Sequence, residues 1–525
     1  MVWLLACMLA ACSSGEGTPD ADGDDDGDSG ADGDGDGDSD GDSDTDADFD
    51  TDVTPDPGIA LRDDGWLRGD LHQHTAYSDA GDPLATVIAI HTYLSSELFL
   101  SVHPEYEGNG LDFAAITDHR TVGALDDPAW ETDEIILVPA EEFGTSSHAN
   151  RFGISEHVDE DPGDDGITLD DLEAAVTATH AEDGIFSINH PFLPDLAWPW
   201  DVRDLDSLEV WNAGWALMSP DYTPEALAAW EAANGPASPL FRRAVEDQGI
   251  GGSTQSLVWY EAQLARGIHV ALVGGSDRHT LLMPAFPTTW IRAESPDLEG
   301  LLQGLRDRHT FVSRTPVSTQ VLMEVEVDGT TWEMGDAIPI AAEGASAVVR
   351  VRVGRGDGGL VQVVAGGAVA SDEALEGAPL GEVVLEDTVT DADFTTEVTL
   401  DVTPGSWVYP VVLDPLVSPG SSEERAERVR ALAEGAVATG PEDYTALANL
   451  MMDMIDFGVA LGVDECDPAD WRPELPQCVP IDDENMTTYF LPDYIDRAFN
   501  AMIEDGGLTE WCMGAVGSAV MFVVE

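Results

Sequence analysis

An α/β architecture, followed by a small antiparallel β-sandwich and a helical C-terminal region, is the fold class the sequence predicts. Three observations lead there. Between residues 59 and 316, short apolar runs rich in Val, Ile, Ala and Leu alternate with helix-like stretches, the pattern of strands and helices in turn. Between 317 and 415 the texture changes to period-two alternation rich in Val, Thr and Gly, which suits antiparallel strands with one buried face. From 416 to 525, stretches such as 423–434 and 444–462 have helical composition. A chain of 525 residues exceeds one ordinary compact core, so several units are expected.

Ahead of the folded units come a leader and a linker. Residues 1–11 are mostly apolar, and Leu9-Ala10-Ala11-Cys12 followed by Ser13-Ser14-Gly15 resembles a bacterial lipoprotein signal. The resemblance implies cleavage before Cys12, acylation there, and a lipid-anchored protein of the bacterial cell envelope, at the outer membrane or cell surface. No later apolar run is long enough to span a bilayer. Residues 12–58 form an Asp-rich linker, with aspartate at every second position from 32 to 52. Such a stretch buries no apolar area and repels itself, so an extended, disordered stalk is expected, with weak calcium association as a side effect.

Charge excludes several functions. The net charge is −82, from 103 acidic and 21 basic residues, and every basic residue is arginine. The 19 carboxylates between residues 16 and 56 leave about −63 on the remainder. That field repels phosphate backbones, so no nucleic acid partner is expected, while divalent cations are attracted. Without lysine there is no Schiff base and no P-loop. Of the five cysteines, Cys466, Cys478 and Cys512 lie late in the chain. An envelope address permits one bridge among them, and the short loop favours Cys466–Cys478.

In chain order, the strand-like segments 111–119, 135–142, 185–191, 208–212 and 270–279 each end in polar residues, with helical candidates at 84–100 and 169–182 between them. In parallel α/β barrels the chemistry gathers at the C-terminal ends of strands. The segment Gly69-Asp70-Leu71-His72-Gln73-His74 begins as a strand, so His72 and His74 project from one face as a pair able to grip a cation. Asp277 and His279 repeat that spacing. Glu141 and Glu142 are alternatives, because a one-residue slip reverses the face. His91, His103, His157, His180, His269 and His309 read as structural, and Trp198, Trp200, Trp211 and Trp215 as core rather than pocket. Glu209 reads equally as a cavity-facing or a structural carboxylate, and Asp118 as a group that orients an imidazole.

Taken together, Asp70-Leu71-His72-Gln73-His74-Thr75 with Ser78-Asp79, Ile116-Thr117-Asp118-His119, Glu142 with His148, Asn189-His190-Pro191 and Gly275-Ser276-Asp277-Arg278-His279 resemble the motif series of the polymerase and histidinol phosphatase (PHP) superfamily. Segments 138–150, 208–212 and 305–313 are similar to its carbaryl-hydrolase-like CehA/McbA branch. The likeness runs over residues 67–316 and keeps motif order. It implies a distorted (β/α)7 barrel holding two or three divalent ions, whether zinc, manganese or iron. By motif, His72, His74, Glu142 and Asp277 would hold the first ion and Asp79, His119 and His279 the second. Glu142, His148 and His190 would hold the third. The implied activity is hydrolysis of a phosphoester, ester or carbamate bond of a small molecule by water activated between the ions. Arg120 and Arg151, each beside a ligand, are the candidate cationic clamps. Arg278, between two same-face ligands, should point away. The rival readings are a non-catalytic surface binding module and, more weakly, an extracellular nuclease.

Overall fold

The computed structural model describes residues 61, 65–95, 108–145, 147–158, 167–193, 196–212, 222–246, 252–279, 284–375, 380–415 and 511–525. The leader, Cys12, the Asp-rich linker, Cys466 and Cys478 lie outside them. Among the described residues no helix is long and apolar enough to cross a membrane.

The fold is mixed α/β. Strands β1 (Trp66–Asp70), β2 (Phe113–Ile116) and β3 (Ile136–Phe143) run parallel. Strand β4 (Ala149–Phe152) is antiparallel to both β3 and β5 (Ile185–Ile188). Strands β6 (Ser207–Asn212) and β7 (Ala271–Gly275) then continue parallel to β5. Most positions of these strands are buried on both faces, which is why they read as apolar runs rather than alternation. Beyond their C-terminal ends, the extensions of β1 and β7 meet. Gln73 bridges Arg278, the His74 N–H donates to the Arg278 carbonyl at 2.8 Å, and the Asp277 N–H donates to that of His72 at 2.8 Å. The first and seventh strands therefore close on one another where the motif histidines lie. On the other side of β1, β8 (Thr288–Arg292) and β9 (Thr310–Ser313) extend the sheet antiparallel.

Six α-helices are described. Helix α1 (Leu84–Tyr93) links β1 to β2, α2 (Leu169–Ala181) precedes β5, and α3 (Pro224–Asn234), α4 (Pro239–Glu246) and α5 (Gly252–Ala265) lie between β6 and β7. Helix α6 (Leu298–Arg306) joins β8 to β9 and buries Leu301, Leu302 and Leu305. Local sequence sets their starts. Thr168 and Asp171 form a reciprocal capping box ahead of α2, and Asp297 caps α6. The regular alternation of a (β/α)7 barrel is not what is observed. Strands β3 and β4 are joined by residues 144–148 alone, too short for a crossover helix, so β4 returns antiparallel. Gly144, at φ +115°, makes that turn, and a Cβ there would stand 2.2 Å from the Ser147 carbonyl oxygen.

The sandwich follows. One sheet orders β11 (Thr330–Glu333), β10 (Gln320–Val327), β13 (Ala345–Gly354) and β16 (Asp393–Val402), all antiparallel. Val321, Met323, Val325 and Val327 of β10 face the core while Glu324 and Glu326 face solvent, the alternation expected. The facing layer holds β12 (Ala337–Ile340), β14 (Leu360–Gly366), β15 (Gly381–Thr388) and β17 (Trp407–Pro415). Of the helical region expected over 416–525, both helical candidates, 423–434 and 444–462, fall outside the described residues, and only the last fifteen residues depart from the expectation. Residues 416–510 lie outside the described residues, and the remainder forms strands β18 (Trp511–Gly517) and β19 (Val520–Val524). Strand β18 pairs with β9 on one side and β17 on the other. Ala515, Val516, Val520 and Phe522 are fully buried there; this short, β-branched, apolar run suits a strand better than a helix.

Candidate metal centre

The extension of β1 presents His72 and His74 to the same side, while Gln73 between them turns outward to meet His91. Opposite them stand Glu142 from β3 and Asp277 beyond β7. His72 Nε2 lies 3.1 Å from Glu142 Oε1 and 3.4 Å from Asp277 Oδ1. His74 Nε2 lies 3.3 Å from Glu142 Oε2 and 3.2 Å from Asp277 Oδ1. All four residues are buried. A second group adjoins the first: His74, Asp79, His119 and His279. There Asp79 stands 3.5 Å from His119 Nε2 and 3.2 Å from His279 Nε2. A third comprises His119, Glu142 and His148, with Glu142 Oε1 3.1 Å from His148 Nδ1. His190 Nε2 also reaches Glu142 Oε1, at 3.2 Å. The cluster opens to solvent on the side of the second group, where the Asp79 side chain is 56% exposed and that of His279 is 30% exposed.

These residues fit divalent cations. His72 Nε2, both nitrogens of His74, His148 Nδ1, His190 Nδ1 and Glu142 Oε2 are buried without a hydrogen-bond partner. Leaving such atoms unmet costs about 1–3 kcal/mol each. Of these, His72 Nε2, His74 Nε2, His148 Nδ1 and Glu142 Oε2 stand 3.1–3.4 Å from atoms of the facing ligands. Donors at 2.0–2.1 Å from one tetrahedral ion stand roughly 3.3–3.4 Å apart, the spacing of the first group.

The electrostatics of the metal-free cluster are those of a self-neutralising set. Burial pushes the Glu142 carboxyl up, but the neighbouring His148 and His72 outweigh it and hold it well below the usual range. Asp277 is likewise pushed up by burial and pulled further down, chiefly by His72 and by the facing His74 imidazole. Burial lowers His74, yet the facing carboxylates of Asp277 and Glu142 raise it to about 9. Burial dominates at His119, which falls to about 4.

The structure brings His72, His74, Asp79, His119, Glu142, His148, His190, Asp277 and His279 into this one cluster. The choice left open on β3 falls to Glu142. Glu141 faces the opposite way, ion-paired with Arg151 and 2.6 Å from His157 Nδ1. Arg151 is therefore no clamp at the site: its guanidinium is buried against Glu141, and its Nε donates to Thr179 Oγ1 at 2.7 Å. Arg120, next to His119 in the chain, is exposed, at φ 52°. Arg278 points away from the cluster to Asp82, as its spacing predicts. Asp118 does not orient an imidazole. Its carboxylate accepts from Thr75 N and Oγ1, both at 2.7 Å, and from Ser78 Oγ at 2.8 Å, pinning the turn that carries Asp79. Trp198 is core, though its Nε1 donates to the His148 carbonyl at 2.6 Å. Sequence reasoning missed Asn189, whose Nδ2 donates to Glu142 Oε1 at 2.8 Å. Its place directly before His190 was the available signal.

No family model and no curated protein matches this chain. Several solved structures are similar to it, two of which follow. One is a two-domain protein from Bacteroides vulgatus described as containing a predicted PHP-like metal-dependent phosphoesterase. It is 14% identical, with 66% of this chain and 91% of that one covered and a TM-score of 0.29. The other is PsfC from Pseudomonas syringae, 15% identical, with 47% and 90% covered and a TM-score of 0.29. Likeness at that level decides nothing about this chain, whose chemistry has to be read from its own residues.

Proposed function

We propose that the protein is a metal-dependent hydrolase of the PHP type, acting on a phosphoester, ester or carbamate bond of a small molecule. The single observation that carries the reading is the buried set His72, His74, Glu142 and Asp277, with donor atoms spaced for one ion and adjoining a second, solvent-open set. Divalent ions bound there supply Lewis acidity and lower the pKa of water. The chain does the rest. Glu142 is common to two of the groups and accepts a hydrogen bond from Asn189, so it would be a fixed ligand for ions bound in either. Asp79, His119 and His279 form the open rim, where a substrate meets the centre. Arg120, next to His119 in the chain, offers a cation without being tied to a carboxylate among the described residues, and it suits an anionic group on the substrate. The acidic body disfavours a polyanion, so a nuclease is the weaker reading. Lipid anchoring through Cys12 at the cell envelope belongs to the same proposal and is supported by the Leu9-Ala10-Ala11-Cys12 resemblance.

The test is metal analysis of purified protein together with chelator-sensitive turnover of a phosphodiester, a phosphomonoester and a carboxylester. Stoichiometric transition metal with activity lost in a His72→Ala, His74→Ala variant supports the reading. Retained metal with no turnover of any substrate favours the binding module. Failure to retain metal under any condition rejects a metal centre altogether.

A further inference from the structure

We infer that Glu209 is a positioning residue of the centre, setting the tautomer and aim of His72 while holding the backbone that delivers His190. The inference rests on the metal reading above and extends it to a carboxylate outside the three ligand groups.

Glu209 lies in β6 and is buried. Its Oε1 stands 3.0 Å from His72 Nδ1. With the proton of that pair on Nδ1, the Nε2 lone pair of His72 faces Glu142 and Asp277, as a ligand must. His74 has no such constraint, since its Nδ1 is buried without a partner. The second oxygen, Oε2, accepts from the His190 N–H at 2.8 Å and from Asn212 Nδ2 at 3.0 Å. His190 is at φ 23°, a backbone conformation that L side chains rarely adopt. A hydrogen bond to its own N–H is what fixes such a turn, and the turn carries the His190 ring to Glu142. Asn212 Nδ2 is also 3.5 Å from Asp277 Oδ2. One carboxylate thus ties together the ends of β1, β5 and β6 and, through Asn212, reaches the ligand beyond β7. Space around it is accordingly tight. A Cβ on Gly275 would stand 2.3 Å from His72 Cβ and 3.0 Å from Glu209 Oε1, so glycine lets β7 approach this pair.

The test is Glu209→Gln in the full chain, probed with zinc alone. The amide matches the carboxylate in shape but brings a donor where two acceptors are needed. Either His72 Nδ1 becomes an acceptor and Nε2 carries the proton towards the ligands, or His190 and Asn212 lose their partner. Zinc affinity by chelator competition should fall about 10- to 100-fold. The hydrogen-bonded Nδ1–H signal of His72 in 15N-histidine spectra of zinc-saturated protein should move or vanish. The melting temperature of the metal-free form should fall only as far as loss of the bonds to His190 and Asn212 requires, and that of the zinc-saturated form should fall further, which separates positioning from general stability. Should Glu209→Gln not fold, Glu209→Asp, which keeps the charge but shortens its reach, enters the same titration with the same expected loss. Unchanged zinc affinity with an unmoved His72 signal overturns the inference. Absence of zinc binding by the wild-type protein instead overturns the metal reading, so the two failures are distinguishable.

Discussion

Glu141 and Glu142 are neighbours in the chain and face opposite ways across β3. Glu142 reaches His72, His119, His148 and His190, while Glu141 is buried against Arg151 and His157. Two adjacent carboxylates, alike in burial, thus do unlike work because side chains alternate along a strand.

Swapping each for glutamine should separate those roles. Glu142→Gln removes the charge that two of the three groups share, and metal content after dialysis should drop to background with the fold retained. Glu141→Gln leaves the buried Arg151 guanidinium with the more distant Glu182 carboxylate, 3.9 Å from its Nη2, and breaking a buried pair costs up to about 3–5 kcal/mol. Denaturant midpoints should show that loss, while metal stoichiometry in the surviving folded fraction stays at the wild-type value. Equal stability losses in the two variants would contradict the division.

Proton release should accompany metal binding. In the metal-free protein His74 is raised from 6.5 to about 9 by Asp277 and Glu142 against the effect of burial. Its contribution to metal-free stability is therefore fully present below pH 6.5 and is lost as pH rises towards 9. Metal competes for the same lone pair, so zinc affinity should increase over that window. Thermal melts across it should show the chelated protein losing stability as pH rises and the zinc-saturated protein gaining relative to it. Parallel curves would refute the coupling.

The last two strands should be indispensable. Val516, Val520 and Phe522 are fully buried, and burying each such side chain contributes roughly 1.5–3 kcal/mol. Ser518 Oγ accepts from the Leu272 N–H at 3.0 Å, and the Ala519 N–H donates to the Tyr260 hydroxyl at 2.8 Å, so the segment is stitched to β7 and α5. Domain stabilities are about 5–15 kcal/mol. A chain ending at residue 510 should accumulate as insoluble protein, and Phe522→Ala alone should lose about 3–5 kcal/mol. Soluble, cooperatively melting truncated protein would count against the pairing.

The legible parts of this fold were those whose physics is local. The i, i+2 spacing of His72 and His74 placed two imidazoles on one face, and the valine alternation of β10 and β13 marked half-buried strands. What stayed hidden depends on contacts distant in sequence. Arg151 stands beside a ligand-bearing hairpin and looks available, but only the register of β3 against β4 shows that it faces Glu141 across the pair. The pairing of β18 with β9 joins residues about two hundred positions apart, which no local pattern encodes. Glu209 was ambiguous for the same reason, since its partners His72 and His190 come from other strands.

Arg120 gives the last test. It follows the ligand His119 directly, holds φ 52°, and donates its N–H to the Glu142 carbonyl at 2.9 Å. That conformation costs a non-glycine residue about 1–2 kcal/mol, so glycine should be accepted there with stability unchanged or slightly higher. The backbone donor to Glu142 is kept in Arg120→Gly, and the ligand set is untouched, so metal content should equal that of the wild type. Only the guanidinium is lost. If it steadies negative charge on the substrate, kcat/KM for a phosphodiester should fall about 10- to 100-fold, with a smaller change for an uncharged ester. An equal loss on both substrates would assign Arg120 to the architecture of the turn rather than to recognition. No loss on either would remove Arg120 from the chemistry and leave anion binding to the metal ions.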